Sequence, residues 1–157
     1  MPLVLPPAQP CSFCEYLLGA RPYTILERGP VIAMLVTYEQ RGRGHVLIVP
    51  TAHRVTILDV TGPEAAALID GVQRAAEAII AAFDPEGVAV WQNNGIPAHQ
   101  SVPHVHFHVA GTMPEGGTVW ADVPKLRVEE TDGIAERLRA HLRPAGAIEE
   151  SAPIDRP

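Results

Sequence analysis

The sequence has little cysteine, no long apolar run and no excess of positive charge. Its 157 residues carry a formal net charge of -6, whereas a nucleic-acid-binding surface needs clustered basic residues to neutralise phosphates. We therefore expect no nucleic-acid partner. No apolar run approaches the roughly 20 residues that cross a bilayer, and residues 1–10 lack the charged start and apolar stretch of a signal peptide. We expect a cytoplasmic protein without a membrane partner.

The two cysteines, Cys11 and Cys14, are too few for a disulfide framework. Their spacing suits either a metal site or a redox pair. A thioredoxin-like motif would follow a buried strand, and the proline-rich residues 2–10 do not have the composition of a strand. A tetrahedral zinc site needs two further ligands, for which histidine is the obvious donor in a chain that contains seven of them.

The length and the 46% content of hydrophobic residues predict a single domain with one core. We place this domain at residues 11–143. The proline-rich residues 1–10 are expected to form a flexible N-terminal segment, and residues 144–157, which lack periodicity, a flexible C-terminal tail.

Hydrophobic periodicity predicts five strands, one long helix and one short helix. The strands are expected at Tyr23–Glu27, Val31–Val36, His45–Val49, Val88–Asn93 and His104–Ala110, and the helices at Gly62–Phe83 and Asp132–Leu142. Asn94–Pro103 is expected to form a polar loop. Consecutive strands joined by turns, with few crossover helices, are typical of an α+β fold with a largely antiparallel sheet.

A histidine stands at every second position of the run His104-Val105-His106-Phe107-His108. On an extended strand the side-chain period is two, so we predict that the three imidazoles leave one face and the apolar side chains the other. Three imidazoles bury little apolar area, and protonated rings repel each other. The pattern therefore favours proton sharing, metal binding or a neutral nitrogen nucleophile over histidines that only bond backbone carbonyls or lie on an exposed sheet edge.

This run resembles the signature of the histidine triad (HIT) family, in which His-x-His-x-His is followed by apolar residues. Further stretches similar to that family occur at residues 44–50 with His53 beyond them, at 93–95 and at 100–102, so the resemblance covers about residues 11–111. The two cysteines are similar to those of the bacterial zinc-containing branch. The resemblance implies an α+β protomer whose five-stranded sheet joins that of a twin, and hence a homodimer.

The resemblance also implies hydrolysis or transfer at the α-phosphate of a nucleoside phosphate derivative. His106 would be the nucleophile that forms a nucleotidyl-histidine intermediate, and His108 and His45 would lie beside the phosphoryl oxygens. Ser101 matches a position that contacts the phosphate or the leaving group. Phosphorus attack requires a neutral ring nitrogen, with the other ring nitrogen holding its proton against an acceptor.

Asn93 and Gln100 match ligand-contacting positions of the family, as do His106 and His108. The stretch from Gln100 to Val102 favours a nucleoside phosphoramidate as the substrate over a diadenosine polyphosphate. Asn93, followed by Asn94 and Gly95, could alternatively serve only to shape a turn.

The resemblance carries Cys11, Cys14, His53 and His104 over as ligands of a structural zinc ion with no open coordination position. Two positions depart from the family. Thr37 stands where an acid often holds the ribose hydroxyls, and His99 stands where glycine is usual. These departures leave open a weakly catalytic, zinc-stabilised nucleotide-binding module, and the two cysteines leave open a thiol redox protein.

Overall fold

The computed structural model describes residues 2–146, which form one five-stranded antiparallel sheet and three α-helices. The sheet has the order β1-β2-β3-β5-β4. The strands are β1 (Ile25–Arg28), β2 (Ile32–Val36), β3 (Arg43–Pro50), β4 (Val88–Gln92) and β5 (Phe107–Gly111), and the helices are α1 (Ser12–Leu17), α2 (Gly62–Phe83) and α3 (Val128–Arg139). The predicted α+β class and antiparallel sheet are confirmed.

Helix α2 has the bounds that the sequence predicts. A capping box begins it, because the backbone N–H of Thr61 donates to the Glu64 carboxylate (2.8 Å) and the backbone N–H of Glu64 donates to the Thr61 hydroxyl (3.4 Å). Asp84 ends it in the left-handed conformation. Helix α3 begins one turn earlier than the predicted Asp132, and α1 was not predicted at all.

The sheet separates two apolar clusters. On one face, alternate residues of β2 and β3 pack against α2 and α3, and Gly71 of α2 lets the helix approach Ile32 and Ile48 closely. On the other face, Leu35, Leu47 and Val49 pack against the short helix α1. The alternation of these strands therefore turns His45 and Leu47 towards the α1 face.

The N-terminal segment contacts the loop that precedes the histidine run. The backbone N–H of Ile96 donates to the Val4 carbonyl at 2.7 Å, and Pro6 is buried. The flexibility predicted for residues 1–10 stays a prediction, and most of the predicted C-terminal tail, residues 147–157, lies outside the described residues. Among residues 2–146, no helix is long and apolar enough to cross a membrane.

Candidate active site and metal centre

The structure brings the four predicted metal ligands together beside the N-terminal end of α1. The Cys11 sulfur lies 3.5 Å from His104 Nδ1, and the Cys14 sulfur lies 3.3 Å from His53 Nδ1 and 3.6 Å from His104 Nδ1. All four candidate ligand atoms lie within 4.8 Å of one another. A tetrahedral zinc with bonds of about 2.0–2.3 Å separates its ligand atoms by similar distances. The donor set and its spacing therefore fit a metal ion.

Burial and hydrogen bonding prepare His104 to act as a ligand. Its Nε2 lies 2.9 Å from the Pro50 carbonyl, which places the ring proton there and leaves the Nδ1 lone pair facing the cysteines. Burial lowers the pKa of His104 to about 4, so the ring is neutral near neutral pH. Burial, followed by the neighbouring Cys11, raises the pKa of the Cys14 thiol to about 11. A bound cation would act in the opposite direction on that thiol.

His106 is held in a single tautomer. Its Nδ1 donates to the backbone carbonyl of His104 at 2.7 Å, so its Nε2 carries the lone pair. Burial lowers the pKa of His106, and the side chain is only 6% exposed. Phe13 of α1 meets the imidazole edge-on, with 5.1 Å between ring centroids. This environment satisfies the requirement for a neutral nitrogen nucleophile.

His108 and His45 form a hydrogen-bonded pair next to His106. His45 Nε2 lies 3.0 Å from His108 Nδ1, and the backbone N–H of Arg41 donates to His45 Nδ1 at 3.2 Å. With Nδ1 as the acceptor, His45 donates from Nε2, and His108 keeps its own proton on Nε2. His45 Nδ1 also lies 3.1 Å from the Glu39 carbonyl, and this contact becomes a hydrogen bond once His45 Nδ1 is protonated.

The prediction that all three histidines stand on a strand is wrong for His104 and His106. Strand β5 begins at Phe107, so only His108 belongs to it. The backbone N–H of Val105 donates to the Arg54 carbonyl at 2.6 Å, outside the sheet ladder. The segment before β5 therefore runs alongside the residues that come after β3. This places His104 next to His53.

A cleft of about 360 Å³ opens beside His108. Among its lining residues are the predicted Ser101 and Asn93, together with His99, which has a left-handed backbone with φ of 67°. Ser101 also lines a smaller cavity that reaches His106, so its hydroxyl lies between the two spaces. A left-handed histidine is uncommon and marks a constrained loop.

Gln100 contributes to the shape of this loop. Its Oε1 accepts from the Gly95 N–H at 2.7 Å, and its Nε2 donates to the carbonyls of Val55 (2.7 Å) and Val102 (3.0 Å). The Asn93 amide likewise donates to the Ala98 carbonyl. The predicted contacts of both amides with phosphate oxygens stay predictions. Backbone carbonyls accept both amide hydrogens of Gln100 and one of the two of Asn93.

Several aromatic residues of the site were missed by the sequence analysis. Trp91 of β4 stacks on His108 with 4.6 Å between ring centroids and 4° between planes. The indole of Trp120 packs on Trp91, with 5.6 Å between their ring centroids. Trp91 is directly opposite His108 in the β4–β5 register. This pairing could have identified Trp91 as a site residue, but predicting it requires knowing that β4 lies next to β5. Trp120 lies in an irregular segment without periodicity.

Comparisons with known proteins identify the family of this chain. The HIT domain family model matches residues 22–115. An adenosine 5′-monophosphoramidase from Schizosaccharomyces pombe is 28% identical over 136 residues, covering 85% of this chain and 98% of that protein. An uncharacterized HIT-like protein from Mycobacterium tuberculosis is 38% identical over 148 residues, covering 93% and 99%. An adenylylsulfatase from Arabidopsis thaliana is 27% identical over 137 residues, covering 84% and 69%.

Solved structures share the fold. A Hit-like protein from Bartonella henselae has a TM-score of 0.79 and 23% identity, covering 85% of this chain and 96% of that one. A zinc-bound histidine triad family protein from Mycobacterium smegmatis has a TM-score of 0.73 and 24% identity, covering 86% and 94%. The family match, the relatives and the arrangement of the three histidines lead to one conclusion: this chain belongs to the HIT family.

Proposed function

We propose that this HIT protein is a nucleotide hydrolase that cleaves nucleoside phosphoramidates at the α-phosphate through a nucleotidyl intermediate on His106. The observation that carries the proposal is the hydrogen bond from His106 Nδ1 to the His104 carbonyl at 2.7 Å. It leaves the Nε2 lone pair available beside a cavity that Ser101 and His108 also line. The phosphoramidase and adenylylsulfatase relatives support the same class of reaction.

In the first step His106 Nε2 attacks the α-phosphorus, the phosphorus–nitrogen bond to His106 forms, and the bond to the leaving amine breaks. The departing amine takes up a proton, for which the exposed Ser101 hydroxyl, which lines the cleft, serves as the relay. The Nε2–H of His108 donates to a phosphoryl oxygen and offsets its growing charge. In the second step water attacks phosphorus and gives a proton back to the Ser101 oxygen, the bond to His106 breaks, and a nucleoside monophosphate leaves.

We propose zinc as the metal held by Cys11, Cys14, His53 and His104. Two thiolates and two imidazoles are a set that zinc prefers, and four protein ligands leave no position for a substrate or an activated water. When bound, the ion supplies a rigid cross-link of ligands and no chemistry at phosphorus. The contacts of both sulfurs with histidine nitrogens favour this role over a thiol redox pair.

Turnover of adenosine phosphoramidate by purified zinc-loaded protein tests the proposal. We expect His106→Asn to lower kcat at least about a thousandfold, because the amide is a poor nucleophile for phosphorus. The matched control is His141→Asn, the same exchange at an exposed histidine just beyond α3. Brief exposure of the wild type to substrate should add the mass of one nucleotidyl group, and His106→Asn should prevent this.

Full activity of His106→Asn would contradict the nucleophile assignment. Adenylylsulfate, diadenosine triphosphate and diadenosine tetraphosphate serve as alternative substrates in the same assay. Faster turnover of one of these would replace the phosphoramidate as the preferred class. Inactivity on all four, with nucleotide binding retained, would instead favour a binding module with little catalysis.

A further inference from the structure

Two cavities adjoin beside α1 and share Tyr16, Tyr23 and Tyr38 as a common wall. The cavity that reaches His106 has a volume of about 140 Å³, and the second, beyond the tyrosines, about 320 Å³. Ligand pockets usually measure about 300–1,000 Å³. The first cavity alone is too small for a nucleotide, so a nucleoside whose phosphate lies at His106 must extend into an adjoining space. The cleft beside His108 is one such space, and the second cavity, past the tyrosines, is the other.

The shared wall is a connected aromatic surface. Tyr16 and Tyr23 stack with 4.1 Å between centroids and 22° between planes, and Tyr23 meets Tyr38 edge-on at 5.5 Å. Burial is the largest cause that raises the pKa of Tyr23, so its hydroxyl stays neutral and can donate a hydrogen bond. Such a wall suits a planar base and a polar sugar.

Two cations flank this wall on the side of the second cavity. The Arg21 guanidinium lies 5.2 Å from the centre of the Tyr16 ring, and Lys125 Nζ lies 5.2 Å from the centre of the Tyr38 ring. Of the described residues, no aspartate or glutamate lines the second cavity. In a chain with a net charge of -6, Arg21 and Lys125 are thus the charged side chains that line this cavity.

Arg21 and Lys125 can both exchange their present ion pairs for a bound anion with little loss of free energy. Arg21 pairs with Glu15 at 2.9 Å and Lys125 with Glu39 at 3.8 Å, and the side chains of Arg21 and Lys125 are 55% and 66% exposed. Exposed ion pairs contribute little to stability. The first cavity is lined by the neutral hydroxyl of Thr37 and also by the Glu39 carboxylate, which pairs with Lys125.

We propose that the second cavity binds a phosphate carried on the ribose of the substrate, at its 2′ or 3′ oxygen, with Arg21 and Lys125 as the recognising cations. The inference rests on the proposed function, which sets the scissile phosphate at His106. The common bases carry no anionic group at neutral pH, whereas ribose hydroxyls are common sites of phosphorylation. The preferred substrates are therefore nucleoside phosphoramidates with an additional ribose phosphate.

Calorimetric titration of the zinc-loaded wild type with three ligands tests this subsite: AMP, adenosine 2′,5′-bisphosphate and adenosine 3′,5′-bisphosphate. We expect one bisphosphate to bind about tenfold more tightly than AMP, the size expected of two exposed ion pairs. Raising the salt concentration should reduce this ratio, because exposed charges are screened. The isomer that gains identifies the phosphorylated oxygen.

The variants Arg21→Gln and Lys125→Gln should each reduce the ratio of the AMP Kd to the bisphosphate Kd. The control Arg137→Gln removes one positive charge from a side chain that lies over Phe83 and does not line the second cavity, and it should keep the ratio. Equal affinity for all three ligands would overturn the subsite and leave the proposed function standing. A ratio that neither Arg21→Gln nor Lys125→Gln changes would overturn the assignment of the cations. Failure of all three ligands to bind would overturn both proposals.

Discussion

His104 serves the metal centre and the nucleophile at once. Its ring nitrogen Nδ1 lies within 3.6 Å of both cysteine sulfurs, while its backbone carbonyl accepts the Nδ1–H of His106. A residue held by a metal ion has little freedom to rotate, so its carbonyl is a fixed acceptor. The proposed zinc ion would therefore position the proposed nucleophile through one residue, without contact with the substrate.

The pair of His45 and His108 makes the stability of the protein dependent on pH. Burial is the largest cause that lowers the pKa of His45 to about 4 and that of His108 to about 2, and His106 and Arg41 act in the same direction. In the unfolded chain both imidazoles titrate near 6.5. Below that pH the unfolded state binds protons at these two imidazoles, whereas the folded state does not. The free energy of unfolding is thus highest above about pH 6.5 and falls as the pH is lowered towards 4.

We predict that this fall has a slope of up to about 1.4 kcal/mol per pH unit for each imidazole. Urea denaturation at pH 7, 6 and 5 measures it. His108→Asn should reduce the slope by up to the contribution of one imidazole. His141→Asn serves as the control. Loss of zinc in acid affects all three proteins alike, so the difference between slopes isolates His108. Equal slopes in the wild type and His108→Asn would contradict the prediction.

The candidate residues of both centres could be proposed from the sequence because their types and spacing are distinctive and resemble those of a known family. Two cysteines and an alternating run of histidines indicated both centres, and the structure brings the cysteines to His53 and His104. The aromatic residues around them could not be predicted in this way. Phe13 and Trp91 are ordinary apolar residues in the sequence, and their contacts with His106 and His108 depend on tertiary packing.

At the scale of elements, α1 joins the metal centre to the active site. The helix has only six residues, too few for a periodic pattern, so it escaped prediction. Cys11 is its N-cap and Cys14 lies in its first turn, while Phe13 between them packs on His104 and His106. A helix this short is not stable alone. Its position depends on the small apolar cluster beneath it and on the proposed zinc ion.

We predict that Cys14→Ser abolishes tight zinc binding and lowers the melting temperature. An ion present at about a thousandfold excess over its Kd contributes about 4 kcal/mol, which corresponds to roughly 10 °C for a domain of this size. Leu18→Ser introduces the same residue at a position just after α1 that is 79% exposed, and should have little effect. Metal analysis and calorimetry with and without a chelator provide the measurements.

The same variant separates the metal role from a redox role. If zinc only supports α1, Cys14→Ser keeps measurable phosphoramidase activity at a temperature well below its lowered melting point. A zinc content unchanged from the wild type would contradict the ligand assignment. Complete loss of activity in a variant that keeps the wild-type melting temperature would instead point to a direct chemical role of the thiol.

At the scale of the whole molecule, the two edges of the sheet differ. Arg139 of α3 covers the outer edge of β1, because its guanidinium donates to the carbonyls of Leu26 (3.2 Å) and Ile25 (2.9 Å). Strand β4 forms the opposite edge, and the hydrogen bonds of the described residues include none that covers its outer side. Uncovered edge strands pair readily with another chain. Val90 in the middle of β4 is 49% exposed.

We propose that two copies pair through β4 and form a homodimer with one continuous sheet. Light scattering after size exclusion should then give twice the chain mass of 16.9 kDa. Val90→Lys should shift the protein towards the monomer, since lysines on an edge strand oppose pairing. Val31→Lys is the matched control, because Val31 is 38% exposed and lies before β2, away from this edge. A wild-type protein with the mass of one chain at micromolar concentration would contradict the dimer. A Val90→Lys dimer as stable as the wild-type dimer would show that β4 is not the interface.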